Sequence, residues 1–191
     1  MMSKRAGIIV VIVAGAVWGL TEVFVGDVFY RFHVPMRAAS LTALGLAILV
    51  MARLIYDRPG TSLAAAILAG AIRCLVPKLF ICHMVAIAIE GAALDLSWSA
   101  MRAGEKHSLR RVWLSAAIAA FVGFFSFGLV GSYAFGFRRW VEAGLPGIAT
   151  WSLRSGALSS LLLLALVPLA ALAARKITSK APAELKEENT H

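Results

Sequence analysis

Two glutamates, Glu22 and Glu90, each lie inside an apolar run that is long enough to cross a lipid bilayer. A charged side chain at that depth costs at least ~2.5 kcal/mol on insertion scales, so it persists mainly where it faces a partner, a cavity or a ligand. We therefore expect both carboxylates to face the interior of a helical bundle. The chemistry open to them is ligand binding, passage of an ion or proton, or interhelical hydrogen bonding.

His83 lies seven residues before Glu90, so the two side chains share one face of a predicted helix. Leu94 continues that face and Asp95 lies at its edge. Such a polar stripe suits a ligand, a proton or a metal ion, whereas the structural alternative is a set of hydrogen bonds that only holds the bundle. Both interpretations stay open for Glu90. Asp95 is nearer the cytoplasmic end, which favours a structural role.

Cys74 and Cys82 flank a predicted turn around Pro77. In an antiparallel hairpin the two thiols would lie at similar depth, where they could form a disulfide or, with His83, a soft metal site. Two thiols and one imidazole are one ligand short of a closed zinc site, and His33 is a candidate fourth ligand. The alternative is that both cysteines are small, buried apolar residues.

The composition is typical of an integral membrane protein, because 60% of the residues are hydrophobic and the mean hydropathy is +0.82. A soluble domain is nearer ~45–50% apolar. We predict an all-α, polytopic protein with a six-helix transmembrane domain over residues 1–176 and a polar cytoplasmic tail over 177–191. The first apolar run is too long for the hydrophobic region of a signal peptide, so we interpret it as a retained helix.

Six apolar runs are predicted as transmembrane helices, since about 20 residues are needed to cross the hydrocarbon. The predicted ranges are 7–30, 37–56, 61–76, 79–100, 110–136 and 149–175. The third run is short, and the segment Gly144-Leu145-Pro146-Gly147 is predicted to precede the sixth helix. The runs lack period-two alternation, which argues against strands.

The basic residues predict the orientation in the membrane. With six crossings and a cytoplasmic N-terminus, twelve of the nineteen Lys and Arg residues lie on the cytoplasmic side and seven on the outer side. This bias predicts that both termini are cytoplasmic and that the protein resides in the cell's inner (cytoplasmic) membrane. Loop placement then explains most of the net charge of +9, so we expect no nucleic acid partner.

Seven outer basic residues are more than topology requires, and together they would attract an anionic ligand. They are Arg31, Arg37, Arg73, Lys78, Arg138, Arg139 and Arg154. The alternative is that these side chains extend to lipid headgroups. We expect a cavity open to the outer face, between the third-to-fourth and fifth-to-sixth connections, with charge from Arg138, Arg139 and Arg154. Flat apolar surface would come from Trp140 and Trp151, with His83 at the floor.

Small residues on the first helix, Ala14, Gly15 and Gly19, open a groove where another helix can pack closely. Either the groove packs within this bundle or it docks a separate membrane subunit. The chain contains no Walker motif, no Gly-x-Ser-x-Gly and no His-Glu-x-x-His, so we predict no catalytic activity.

The layout resembles the S-components of energy-coupling factor transporters, which are small six-helix substrate-binding subunits. Length and helix number match over nearly the whole chain, and three stretches carry the resemblance: Gly15-Ala-Val-Trp-Gly-Leu-Thr-Glu22, His33-Val-Pro35 and Ala86-Ile-Ala-Ile-Glu90-Gly. The resemblance implies an importer subunit that docks a membrane coupling subunit through Ala14, Gly15 and Gly19. Partner ATPase subunits would then hydrolyse ATP.

In that family, vitamins or metal ions bind near the outer side, between the connecting loops and the last three helices. The resemblance therefore implicates Arg138, Arg139, Trp140, Trp151 and Arg154, with Cys82, His83 and Glu90 beside them. Some solitary cobalamin-binding members use a cysteine near the start of the fourth helix to reach cobalt, and Cys82 lies in a comparable place. A cobalt-containing corrinoid or a metal ion held by Cys82 and His83 is thus the candidate cofactor.

Two other functions compete with the importer subunit. One is an autonomous membrane protein that conducts ions or protons through Glu22, His83 and Glu90. The other is a protein that handles a metal or haem through Cys74, Cys82 and His83.

Overall fold

The computed structural model of the chain describes residues 3–74, 81–101 and 108–180. Six α-helices account for most of them, and the predicted all-α helical bundle is confirmed. They are α1 (Lys4–Arg31), α2 (Arg37–Ile55), α3 (Thr61–Arg73), α4 (Ile81–Met101), α5 (Leu109–Leu129) and α6 (Arg138–Lys180), with a π-helical turn at Val130–Ala134 continuing α5. Serine hydroxyls cap two of the starts: Ser3 accepts from the Ala6 amide, and Ser108 from the Arg111 amide.

Five of the helices are long and apolar enough to cross a membrane, which supports the assignment as a membrane protein. The exception is α3, whose 13 residues span about 20 Å against the ~30 Å of a hydrocarbon core. The last residues of the predicted third span, 75 and 76, lie outside the described ranges. The orientation of the termini and the identity of the membrane stay predictions.

The helices pack as a closed ring in the order α1, α3, α4, α5, α6 and α2, with α2 returning to α1. Small side chains let neighbouring helices approach closely, and Trp18 fills the space that Gly45 leaves on α2. Large apolar side chains such as Ile8, Ile12 and Phe24 point away from the ring, as expected of surfaces that face lipid.

The predicted break before the sixth helix is present at Gly144, but a helical segment that was not predicted precedes it. α6 begins at Arg138 and is interrupted at Gly144, whose φ of 60° lies in the left-handed region. Pro146 then falls in the first turn of the second part, where its missing N–H has no helical partner to lose. At its other end α6 continues to Lys180, past the predicted boundary at residue 176, and residues 181–191 of the predicted tail lie outside the described ranges.

The ring has two ends. We call the end with the α1–α2 and α5–α6 connections the outer end and the opposite one the inner end, following the predicted topology.

Candidate functional site

Glu22 and His83 meet toward the outer end, where α1 comes close to α4. The Glu22 side chain is buried, at 4% exposure. Its Oε1 atom accepts a hydrogen bond of 3.4 Å from the indole Nε1 of Trp18, one turn earlier on α1. Its Oε2 atom lies 3.9 Å from His83 Nε2, and the His83 side chain is partly exposed. The expectation that Glu22 faces the bundle interior is thus confirmed.

Arg73 joins this pair from the last turn of α3. Its Nη1 atom donates to the main-chain oxygen of Glu22 over 3.4 Å, and its positive charge acts on both Glu22 and His83. Three helices therefore contribute ionisable groups to one place. The sequence pointed to Arg73 only as one of seven outer basic residues.

Glu90 lies deeper in the bundle, two helical turns from His83 on α4. Its side chain is 4% exposed and packs against α5 at Gly123, where a Cβ would stand 3.2 Å from Oε2. The Oε1 atom has no hydrogen-bond partner among the described residues. A second acid, Glu22, lies near this carboxyl group. We refer to Glu22, Arg73, His83 and Glu90 as the Glu90 cluster.

An aromatic group covers one side of this cluster. The His83 ring meets the Phe127 ring edge to face at 5.3 Å between centroids. Phe127 in turn lies 5.9 Å from Trp151, and Trp151 lies 4.7 Å from Trp140. Phe124, one turn before Phe127 on α5, packs perpendicular to Trp151 at 5.3 Å. These four rings, Phe124, Phe127, Trp140 and Trp151, link α5 and α6 to the imidazole on α4.

The π-helical turn after α5 helps to place the aromatic group. A Cβ on Gly131, within that turn, would come to 2.9 Å from Trp140 Cδ1, so the indole rests directly on the backbone. π-Turns of this kind are frequently found at functional sites.

The predicted site residues are only partly brought together. His83, Glu90, Trp140 and Trp151 converge, as the preceding distances show. Arg139 lies beside this group, with its guanidinium 5.2 Å from the centre of the Trp140 ring.

The other two arginines of the predicted site lie at the surface. Arg138 pairs with Glu142 at 2.6 Å on an exposed part of the first turn of α6. Arg154 is exposed as well. The predicted outer cavity was to open between two connections, and the first of them includes residues 75–80, outside the described ranges.

The cysteines do not form a metal centre in the described part of the chain. Cys74 is a free, exposed thiol whose Sγ atom lies 2.9 Å from Met84 Sδ. Cys82 belongs to the first turn of α4, but its side chain is not described, so its predicted role as a metal or corrinoid ligand is not addressed. No group of three His, Cys, Asp or Glu side chains within the described ranges is placed to hold a metal ion.

The predicted docking face on α1 is already occupied. Ala14, Gly15 and Gly19 are buried, and the two glycines face α3 of the same chain. A Cβ at Gly15 would approach the Ala65 carbonyl oxygen to 2.7 Å, and one at Gly19 would approach Ile72 Cβ to 2.8 Å. This arrangement favours internal packing, the first of the two alternatives, and docking of a coupling subunit through these residues stays a prediction.

A second group of buried charged side chains lies at the inner end, and its pairing can be compared with that of the Glu90 cluster. Arg53 on α2 is fully buried, and its guanidinium lies 3.3 Å from Asp57 Oδ1 and 3.5 Å from Asp95 Oδ1. It also donates to the Arg58 main-chain oxygen. The Trp98 ring stacks on the guanidinium at 5.3 Å, while its Nε1 donates to Asp57 over 3.2 Å.

Asp95 completes this second group by capping α3. Its two oxygens accept from the amides of Ser62, at 3.2 Å, and Leu63, at 3.0 Å, at the start of that helix. Those amides have no partner inside α3, so the carboxylate satisfies them from a neighbouring helix. We refer to Arg53, Asp57, Asp95 and Trp98 as the Arg53 cluster. The structural role favoured for Asp95 agrees with this arrangement.

Sequence reasoning missed Phe124, Phe127 and Gly123. They lie in the run Gly123-Phe-Phe-Ser-Phe127, where three phenylalanines in four residues cannot all face lipid on one helical face. This spacing was the available signal for an inward-facing ring.

No family model, characterised protein or solved structure matches this chain significantly. The geometry of the Glu90 cluster and the aromatic group is therefore the basis for any functional assignment.

Proposed function

We propose that this protein is a membrane-embedded binding protein for a small molecule and that its binding site is the Glu90 cluster with the aromatic group. The observation that carries the proposal is the burial of Glu90 with an unpartnered oxygen, two turns from an imidazole that packs on Phe127. Buried carboxylates in a membrane bundle mark ligand and ion pathways. Convergent polar groups beside aromatic walls are characteristic of small-molecule sites.

The binding protein would serve an importer as its substrate-binding subunit. This part of the proposal rests on the resemblance to energy-coupling factor S-components and on the six-helix architecture. The proposal assigns binding, and no catalysis, to this chain. ATP hydrolysis and coupling would come from separate subunits. Since Gly15 and Gly19 are buried against α3, a coupling subunit would have to dock elsewhere on the bundle.

The test is native mass spectrometry of the protein as isolated from membranes in mild detergent. We expect a bound small molecule that is distinct from lipid and is released on unfolding. Trp151→Ala should lose it, because Trp151 contacts three rings of the site.

Trp113→Ala is the matched control, since Trp113 lies on α5 toward the inner end and donates to the Ser160 main-chain oxygen. Preparations that contain only lipid, or that lose the molecule equally in both variants, would contradict the proposal.

A second candidate function is favoured by one contact, the 3.9 Å approach of Glu22 to His83. A carboxylate next to an imidazole, with Glu90 deeper on the same path, is a suitable relay for protons. Reconstituted protein without partners would then carry protons across liposomes, and Glu90→Gln would stop the flux. The importer-subunit proposal expects no flux from the protein alone.

A further inference from the structure

Among the three fully buried acids of the described residues, Glu22, Glu90 and Asp95, only Glu90 has a buried oxygen without a hydrogen-bond donor. Burying a carboxylate oxygen away from water without a hydrogen bond is costly, so natural proteins seldom tolerate it without a reason. Glu90 is 4% exposed and its Oε1 atom is unpartnered within the described chain. By contrast, Asp95, which is also buried, accepts two amide hydrogen bonds and faces Arg53.

The neighbours of Glu90 do not balance its charge. Glu22 carries a charge of the same sign. The nearby donors are directed at Glu22: Trp18 at its carboxylate and Arg73 at its main-chain oxygen. His83 approaches the Glu22 carboxylate as well. The basic side chains of the cluster, Arg73 and His83, therefore contact Glu22, nearer the outer end than Glu90.

The aromatic group adds a second feature that favours a cation. Faces of Phe and Trp rings attract positive charge through their quadrupole. Glu90 packs on Gly123, which directly precedes Phe124 and lies one turn before Phe127 on α5. The Glu90 carboxylate on α4 therefore packs against the stretch of α5 that carries Phe124 and Phe127.

Two of the basic residues that predicted an anionic ligand, Arg138 and Arg154, lie elsewhere, whereas Arg73 belongs to the Glu90 cluster and Arg139 lies against Trp140. The Arg138 charge is paired with Glu142 on an exposed surface, and Arg154 is exposed. Neither contacts the unpartnered Glu90 carboxylate.

We infer that the site takes a small organic cation, in which a protonated or quaternary nitrogen adjoins a flat unsaturated ring. The nitrogen lies against the Glu90 carboxylate, and the ring packs against the aromatic group. This inference rests on the proposed function and adds to it the charge of the ligand and the residue that recognises it.

Three probes of nearly the same shape and different charge test the inference: benzylammonium, benzyl alcohol and benzoate. The full-length protein in lipid nanodiscs is titrated with each one, and binding is followed by tryptophan fluorescence, since Trp140 and Trp151 belong to the site. Empty nanodiscs provide the correction for probes that partition into lipid. We expect benzylammonium to bind at least ~10-fold more tightly than either other probe, the scale of one charged hydrogen bond.

Glu90→Gln should abolish the preference for benzylammonium while leaving the shape of the site unchanged. Glu142→Gln is the matched control, because Glu142 is an exposed acid toward the same end. Should Glu90→Gln fail to fold, Gly123→Ala keeps the carboxylate but crowds it, and it should weaken benzylammonium binding at least ~3-fold through steric overlap.

The outcomes separate the inference from the proposed function. Binding of any probe without preference for benzylammonium, or a preference that survives in Glu90→Gln, overturns the cationic ligand and leaves a small-molecule site in place. Tightest binding of benzoate would do the same and would favour an anionic ligand. If none of the three probes shows saturable binding, both the inference and the proposed function fail.

Discussion

The two buried charged groups of this bundle differ in how fully their members are paired. In the Arg53 cluster each charge faces an opposite charge, and Asp95 also satisfies two helix-terminal amides. In the Glu90 cluster Glu90 has a second acid, Glu22, as a neighbour, and one oxygen of Glu90 is unpartnered among the described residues. Both groups are buried between helices, so burial alone does not distinguish them.

This difference indicates separate roles. A network in which each charge faces an opposite charge fixes how its helices pack. A buried group with an unpartnered polar atom can still bind a ligand. It lowers the stability of the fold, and such a cost is expected at functional sites. We therefore assign the Arg53 cluster to the fold and the Glu90 cluster to binding, and the following variants test that assignment.

Arg53→Met should have the largest effect. Removing the guanidinium leaves Asp57 and Asp95 buried without their opposite charge, and breaking a buried pair in this way typically costs ~3–5 kcal/mol. We expect a large drop in the unfolding temperature measured in detergent by intrinsic fluorescence. Arg175→Ala removes an exposed arginine toward the same end and should have little effect. Similar losses in the two variants would show that the cluster is not structural.

Gly15→Leu should have the next largest effect, through the packing of α1 on α3. A side chain there would overlap the Ala65 carbonyl oxygen and Leu68, so the two helices must move apart. We expect this to lower the free energy of unfolding by about 1–3 kcal/mol. Gly26→Ala on the same helix has only a 3.6 Å contact with Leu41 and should be tolerated. Thermal unfolding compares the two. Because α1 carries Glu22 and α3 carries Arg73, we also expect the Gly15 variant to weaken binding at the Glu90 cluster.

Glu90→Gln should change stability by no more than about 1 kcal/mol, and in the stabilising direction. The substitution removes a desolvated carboxyl group with one oxygen unpartnered among the described residues, while an amide keeps nearly the same volume. Thermal unfolding of the ligand-free protein measures this effect. A loss as large as that of Arg53→Met would mean that Glu90 holds the bundle together and would remove the distinction between the clusters.

Arg138→Ala should have the smallest effect. Its pair with Glu142 is exposed, and such surface pairs contribute roughly 0.2–1 kcal/mol. Affinity for the ligand should not change either, because the guanidinium is directed at Glu142. A clear loss of binding would restore Arg138 to the site and would favour the anionic ligand that the sequence suggested.

The sequence predicted the helices well because the signal is simple: about 20 apolar residues in a row, separated by Pro and Gly. It also predicted that Glu22 and Glu90 face inward, since a carboxylate in lipid is costly, and that His83 shares the face of Glu90. Each of these inferences depends on the sequence of a single helix and not on how the helices pair. The position of Gly144 inside α6 was missed because a Gly-Leu-Pro-Gly run reads as a loop even where the helix resumes at once.

The pairing of helices could not be read from the sequence in the same way. Arg53 was counted with the residues that set topology, yet it is fully buried, because its acids lie partly on the next connection and partly on α4. The small residues of α1 fit either an internal or an external helix, and only the arrangement of α1 against α3 decides between them. Likewise, Phe127 joins the site through His83, 44 positions away in the chain.

The most direct test of the two roles is the occupancy of the native ligand, measured by native mass spectrometry on wild type, Glu90→Gln and Asp95→Asn. Asp95→Asn weakens the Arg53 cluster by removing its charge pair with Arg53. We predict that Glu90→Gln is folded but empty, whereas Asp95→Asn is less stable but still carries the ligand in its folded fraction. Ligand retained by Glu90→Gln, or lost from folded Asp95→Asn, would contradict the assignment of binding to the Glu90 cluster.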